Sequence, residues 1–344
     1  MVEGGRKMEW LDAHVADIWF LIIGFLVLYY AIADGLDLGV GMIALFTRDE
    51  AKRSIMMASL SSIWQDNQTW LVLLGGMLFG AFPLFYSVAL SAFYVPITIM
   101  LFGLIFRGLA FEFRGHAQNP ALWSLSFGLG SLVTATCQGF TLGGIFFGIP
   151  MDGHTFTGTI WSWFHPYSIL FTLGVISGYI MLGANYLILK TNGEIQARSM
   201  VHSFGAGSAT LLISLAIYVW TILRHPYMAQ KWLAFPDLFH VAVFPVLAII
   251  AFGMYMGSLR RGSERAPFIW NAVMVVCSFT GLSVGFYPYI IPNMVTVRSA
   301  AVSSPKTLIF MLAVIIILLP LILAYIGFKN RLFRGKVGDG GYGD

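Results

Sequence analysis

Charge is scarce in this chain. Asp, Glu, Lys and Arg make up 10% of its 344 residues, whereas hydrophobic residues make up 58%. A soluble domain carries about a quarter charged residues, so there are too few here to cover a water-facing surface. A cytosolic enzyme and a disordered chain are both excluded. Cysteine is scarcer still. Cys137 and Cys277 lie inside apolar runs, with neither the spacing of a metal site nor the density of a disulfide scaffold. They read as small apolar residues. Also missing are a Walker motif, a dinucleotide fingerprint, a Cys/His cluster and the clustered basic face that nucleic acid requires. The seven histidines (His14, His116, His154, His165, His202, His225, His240) all fall in loops or near the ends of apolar runs. A membrane-buried haem usually takes axial His, Met, Cys or Tyr. No buried His pair is present, and the 16 Met read as packing residues. The chain is therefore expected to ligate no metal or haem of its own.

What is present is apolar sequence in long runs. They cover Ile18 to Phe46, Met56 to Tyr86, Val88 to Leu109, Leu122 to Ile149, Pro166 to Leu189, Phe204 to Leu223, Leu238 to Leu259, Phe268 to Ile291 and Leu308 to Phe328. Each reaches the ~20 residues that a helix needs to cross ~30 Å of hydrocarbon. Lipid leaves no backbone group a partner outside the segment, so the runs are helices. The expected fold is all-α: a polytopic membrane protein of about nine transmembrane helices. The first run is too long for a signal peptide and follows Glu3, Glu9, Asp12 and Asp17. The chain divides into a short N-terminal segment (1–17), one membrane domain (18–328) and a glycine-rich tail (329–344) expected to be disordered. No strong internal repeat is evident, and two pseudo-repeated bundles are compatible with the pattern.

Alternate loops must fall on alternate sides. Loops after odd-numbered runs, with the tail, hold Arg48, Lys52, Arg53, Arg107, Arg114, Lys190, Arg198, Arg260, Arg261, Arg265, Lys329, Arg331, Arg334 and Lys336. The opposite side holds Arg6, Lys7, Arg224, Lys231, Arg298 and Lys306. Positive charge is retained in the cytoplasm. The N-terminus is accordingly expected outside and the C-terminus inside.

Ionisable residues within such runs are costly and are functional candidates by default. Asp34 and Asp37 stand three apart on one helical face. Asp66 lies in Trp64-Gln65-Asp66-Asn67-Gln68-Thr69-Trp70, and Arg107 and Glu112 close the third run. With the predicted orientation, all five fall in the cytoplasmic half of the bilayer. Carboxylates stepping inward from the cytoplasm suit a proton relay. A plainer reading makes Arg107 the partner of one acid in a structural ion pair, with Glu112 snorkelling to the interface. Trp64 and Trp70 flank the polar patch, where cavity lining and plain packing are equally compatible. The spacings Gly76/Gly80, Gly139/Gly143 and Gly281/Gly285 suit close helix contacts.

These segments, in order, resemble subunit II of the cytochrome bd-type quinol oxidases, the cyanide-insensitive type included. Asp34-Gly35-Leu36-Asp37-Leu38-Gly39-Val40-Gly41 is similar to the family's Asp-Gly-Phe-Asp-Leu-Gly-Val-Gly signature. Further similar segments are Gly75 to Pro83, Arg107 to Arg114, Gln138-Gly139, Gly183 to Leu187 with Lys190-Thr191, and Tyr287 to Pro292. The resemblance implies a subunit of a bacterial inner-membrane respiratory complex that oxidises quinol and reduces dioxygen to water. It further implies a heterodimer in which subunit I carries haems b and d and the quinol site. Small accessory subunits and a quinone bound within the complex are compatible with it. It assigns proton uptake to Asp34, Arg107 and Glu112 and a place beside an oxygen route to Trp70, and Asp37 carries the motif match. One departure is visible. The family's Trp-Asp-Gly-Asn segment reads Trp64-Gln65-Asp66-Asn67 here, moving the acid one position and so turning it by ~100° about a helix. A proton-coupled transporter and a purely structural partner subunit are the alternative readings.

Overall fold

The computed structural model describes residues 2–234, 237–332 and 335–337. In chain order the helices are α1 (Val2–Leu45), α2 (Glu50–Leu60), α3 (Trp64–Ala81), α4 (Pro83–Phe113) and α5 (Pro120–Phe147). They continue with α6 (Pro166–Lys190), α7 (Gly193–Arg224), α8 (Pro226–Leu233), α9 (Asp237–Arg260), α10 (Ala266–Phe286), α11 (Val297–Ala300) and α12 (Pro305–Leu332). The strands are two short hairpins, β1 (Met151–Asp152) with β2 (Thr155–Phe156), and β3 (Tyr289–Ile291) with β4 (Val295–Thr296). The all-α expectation holds.

Local chemistry sets the boundaries. Pro opens α4, α5, α6, α8 and α10, where its missing N–H is no loss. Asp49 caps α2 by accepting from the backbone N–H groups of Ala51 and Lys52. His165 and Ser168 cap α6 reciprocally, each side chain accepting from the other's backbone N–H. Pro96 sits inside α4, and Phe93 three residues earlier leaves helical geometry (φ −117°, ψ 19°). That is the kink expected where the proline ring meets the preceding turn.

Among the described residues, eight helices are long and apolar enough to cross a membrane. The second predicted run differs. Its start belongs to α2, whose first half is polar, and its end to α4, because Pro83 breaks the chain at Phe82 rather than at Ser87. Between them α3 has 18 residues and opens on Gln65-Asp66-Asn67-Gln68, which makes it the polar member of the set. It nevertheless runs from one end of the bundle to the other. At its start Asp66 meets Lys329 at the far end of α12, and at its close the Ala81 carbonyl accepts from Val302, just before α12.

The N-terminal segment is not separate, since α1 is one helix of 44 residues from Val2. Of the tail, 329–332 finish α12. Residues 335–337 are ordered against the bundle: Val337 donates to the Lys190 carbonyl and is 3% exposed, and Lys336 bonds Asn192 and Glu264. Residues 333–334 and 338–344 lie outside the described residues.

α1 and α6 pack against each other in the middle of the bundle. At their crossing Gly39 and Gly183 touch through main-chain atoms, and a Cβ on either would enter the other helix's backbone. Of the candidate pairs, Gly139 and Gly143 face the α6 backbone at Thr172 and Ser168. Gly281 and Gly285 meet the side chains of Phe244 and Trp232, whereas Gly76 faces open space.

Candidate functional site

The polar centre forms where α1, α3 and α4 converge. α4 approaches α5 closely at Gly103 and Gly130, where a Cβ on Gly103 would stand 2.9 Å from the Gly130 carbonyl oxygen. That approach carries Arg107, one turn further on, into the interior beside α1. Its Nη2 donates to Asp34 Oδ1 at 2.5 Å, and both residues are fully buried. Three residues along α1, Asp37 Oδ2 accepts from Asn67 Nδ2 at 3.0 Å, and the same amide donates to the Ala33 carbonyl. α1 thus presents two carboxyls on one face, one held by α4 and the other by α3.

Neutral groups complete the surroundings. Tyr179 Oη of α6 donates to Gln138 Oε1 of α5, and Gln138 Nε2 donates to Tyr30 Oη of α1, each at 2.7 Å. Tyr30, Asp34, Asp37, Arg107 and Tyr179 are all within electrostatic reach of one another's cluster. Asp34 Oδ2, Asp37 Oδ1 and Arg107 Nε and Nη1 have no hydrogen-bond partner. Two carboxyls and one guanidinium leave a negative charge if both acids ionise, and low-dielectric surroundings make an uncompensated charge expensive. Chemically, the site can accommodate one proton to reach neutrality.

The remaining candidates are placed elsewhere. Asp66, half-buried, accepts from Lys329 Nζ at 2.7 Å. Glu112 is exposed on α4. The expected convergence of four acids on one arginine is therefore a convergence of two, because the one-residue displacement at Gln65-Asp66 aims the acid at α12. Trp64 stacks on Phe111 with ring centroids 4.9 Å apart. Trp70 is 1% exposed and lies 4.0 Å from the Tyr29 ring, with Phe25 behind it. Arg107, counted above among loop charges, is an interior residue. Sequence reading passed over Tyr30, Asn67 and Tyr179 because it searched for charge. Their signal was a neutral polar atom inside an apolar run.

A second polar knot lies at the basic end, around Glu50 of α2, a helix outside the candidate membrane spans. Glu50 Oε1 accepts from Arg114 Nη2 (2.7 Å) and Ser124 Oγ (2.5 Å), and Oε2 accepts from Arg53. Partial burial works against its charge, but the Ser124 and Arg114 hydrogen bonds outweigh it and hold the carboxyl below its ordinary range. Among the described residues no group of three or more His, Cys, Asp and Glu could hold a metal ion.

Residues 15–333 match the family described as cytochrome bd terminal oxidase subunit II. The chain is 27% identical to the cytochrome bd-I ubiquinol oxidase subunit 2 of Escherichia coli K12, covering 93% of this chain and 94% of that one. It is 31% identical to the cytochrome bd ubiquinol oxidase subunit 2 of Bacillus subtilis 168, covering 78% and 71%. In fold it is similar to a chain of the bd oxidase from Geobacillus thermodenitrificans, with a TM-score of 0.77 at 19% identity over 93% of this chain and 98% of that one.

Proposed function

Because the chain belongs to the cytochrome bd terminal oxidase subunit II family, we propose that it delivers protons to a haem-bearing partner through the buried cluster of Asp34, Arg107 and Asp37. The complex is a terminal quinol oxidase, and this subunit is a multi-pass protein of the bacterial inner membrane. Family membership sets aside the transporter reading.

The haems belong, in this reading, to subunit I. Among the described residues, two of the histidines are already engaged elsewhere. His225 is engaged at both ring nitrogens, by the Phe146 carbonyl and by Asn293, and His165 gives Nδ1 to its helix cap. Both stand at helix ends. The proposed orientation puts the N-terminus outside and the C-terminus in the cytoplasm, with α3 as a ninth crossing. It is supported by the basic loops meeting at one end, where Lys52 pairs with Glu194, Arg114 with Glu50 and Lys336 with Glu264. Reduction of dioxygen consumes protons. Drawing them from the cytoplasm while quinol protons leave outside makes turnover electrogenic without pumping.

The carrying observation is the charge count: two fully buried carboxyls lie in one cluster with a single arginine, which pairs with Asp34 alone, and each carboxyl keeps an oxygen without a hydrogen-bond partner. A proton arriving at this cluster neutralises it, and one leaving restores the ion pair. Asp66 and Glu112 are assigned no step. Trp70, among Tyr29 and Phe25, is assigned a place beside the oxygen route. The test is Asp34→Asn in the purified complex. Oxygen consumption should fall on the order of tenfold or more, with the haem absorption spectrum retained. Wild-type turnover would leave Asp34–Arg107 as a structural ion pair and this subunit as a scaffold.

A further inference from the structure

Asp66 takes no step in the uptake route, yet it stands beside a residue that touches the polar centre. Asp66 and Asn67 are neighbours in the first turn of α3, and successive side chains on a helix point ~100° apart. The turn is therefore gripped on separate sides. Trp64 stacks on Phe111 of α4, and Asp66 accepts from Lys329 Nζ of α12. Asn67 Nδ2 donates to Asp37 Oδ2 and to the Ala33 carbonyl of α1. Such grips matter here, because Ile63 at the N-cap makes no side-chain hydrogen bond and an uncapped helix end frays. The Asn67 amide has one orientation only, since exchanging its nitrogen and oxygen would set an oxygen against the Ala33 carbonyl oxygen. The turn of α3 thus sets the amide, and the amide sets the Asp37 carboxyl. α12 gives Lys329 a fixed base. At the other end of that helix Trp19 Nε1 of α1 donates to the Leu308 carbonyl at 3.0 Å, and Val302, just before α12, donates to the Ala81 carbonyl at the close of α3. The Lys329 and Asp66 side chains are each 23% exposed, so water screens their pairing only in part.

We propose that Lys329 and Asn67 are positioning residues for Asp37: the Lys329–Asp66 pair holds the first turn of α3 against α12, and the Asn67 amide presented by that turn fixes the Asp37 carboxyl one helical turn from the Asp34–Arg107 pair. The acid that stands at Asp66 instead of at position 65 thereby supports the polar centre from outside it. The inference rests on the proton-uptake reading for what Asp37 does, but not for how Asp37 is held.

Infrared difference spectroscopy of the purified complex tests it without relying on turnover. The Asp37 carboxyl band is the one lost in Asp37→Asn. It should shift in Asn67→Leu, or in Asn67→Ala where leucine prevents assembly, because the donation to Oδ2 is gone. Lys329→Met and Asp66→Asn should each give a smaller shift in that same direction, and the double variant should shift it no further, since all three remove one contact. A field effect alone would move the band in opposite directions in these two variants, one having lost a positive charge and the other a negative one. Lys329→Arg should restore the wild-type position. Oxygen consumption should fall roughly tenfold in Asn67→Leu and by less in Lys329→Met, with the KM for quinol unchanged. Retained haem absorption shows that the variants have assembled. An unmoved band in Asn67→Leu or in Lys329→Met, or opposite shifts in Lys329→Met and Asp66→Asn, would overturn the inference. Wild-type oxygen consumption in Asp37→Asn with the band shifts of the other variants still present would overturn the uptake role of Asp37 alone.

Discussion

Around α1 the buried polar groups carry charge, and around α9 and α10 they do not. The first region holds Asp34, Asp37 and Arg107. In the second, Ser203 donates to Asn185 and bonds Tyr255 at 2.6 Å, and Asn271 is fully buried with neither amide atom partnered. Neutral groups can order a helix interface, but they cannot gain or lose a proton near neutral pH. Ionisable groups can, and they make each partner indispensable. The two regions should therefore respond to mutation in opposite ways.

The largest effect is expected at Arg107. Changing it to Met strands Asp34 as an unpaired buried carboxylate, which costs about 3–5 kcal/mol. A thermal melt of the complex should show it, and the Arg107→Met/Asp34→Asn pair should recover most of the loss. In the neutral region, Asn271→Leu removes an amide that satisfies nothing, so its effect should stay within about 1 kcal/mol and can be stabilising. A severe loss there would erase the contrast. The smallest effect is a matter of pH at the rim. The Glu50 carboxyl is held below its ordinary range, so its stabilisation is complete above about pH 4.5 and fades as pH falls through the lowered value. Melting curves of wild type and Glu50→Gln should draw together as pH is taken progressively below about 4.5.

Much of this contrast is visible in the sequence. Asp34 and Asp37 announce themselves by charge inside an apolar run, and their three-residue spacing puts them on one face. Arg107 is equally conspicuous, but its partner depends on the glycine contact between α4 and α5, which no one-dimensional pattern contains. Asp66 is harder still. Its cation, Lys329, lies at the other end of the chain, so only the packing of α12 beside α3 brings them together. The break at Pro83 was legible in principle, but hydropathy runs straight through it. The ordered stretch at 335–337 was not, because a glycine-rich composition hides the bonds it makes to Lys190, Asn192 and Glu264.

The glycine contact between α1 and α6 has a mechanical consequence. Main chain lies directly on main chain at Gly39 and Gly183, with no layer of side chains to act as a bearing. Rocking α1 against α6, the kind of motion by which carriers expose a site alternately to each side, would force these backbones apart. The proposed proton uptake is therefore expected to use small rotations of side chains and water, with these two helices at rest.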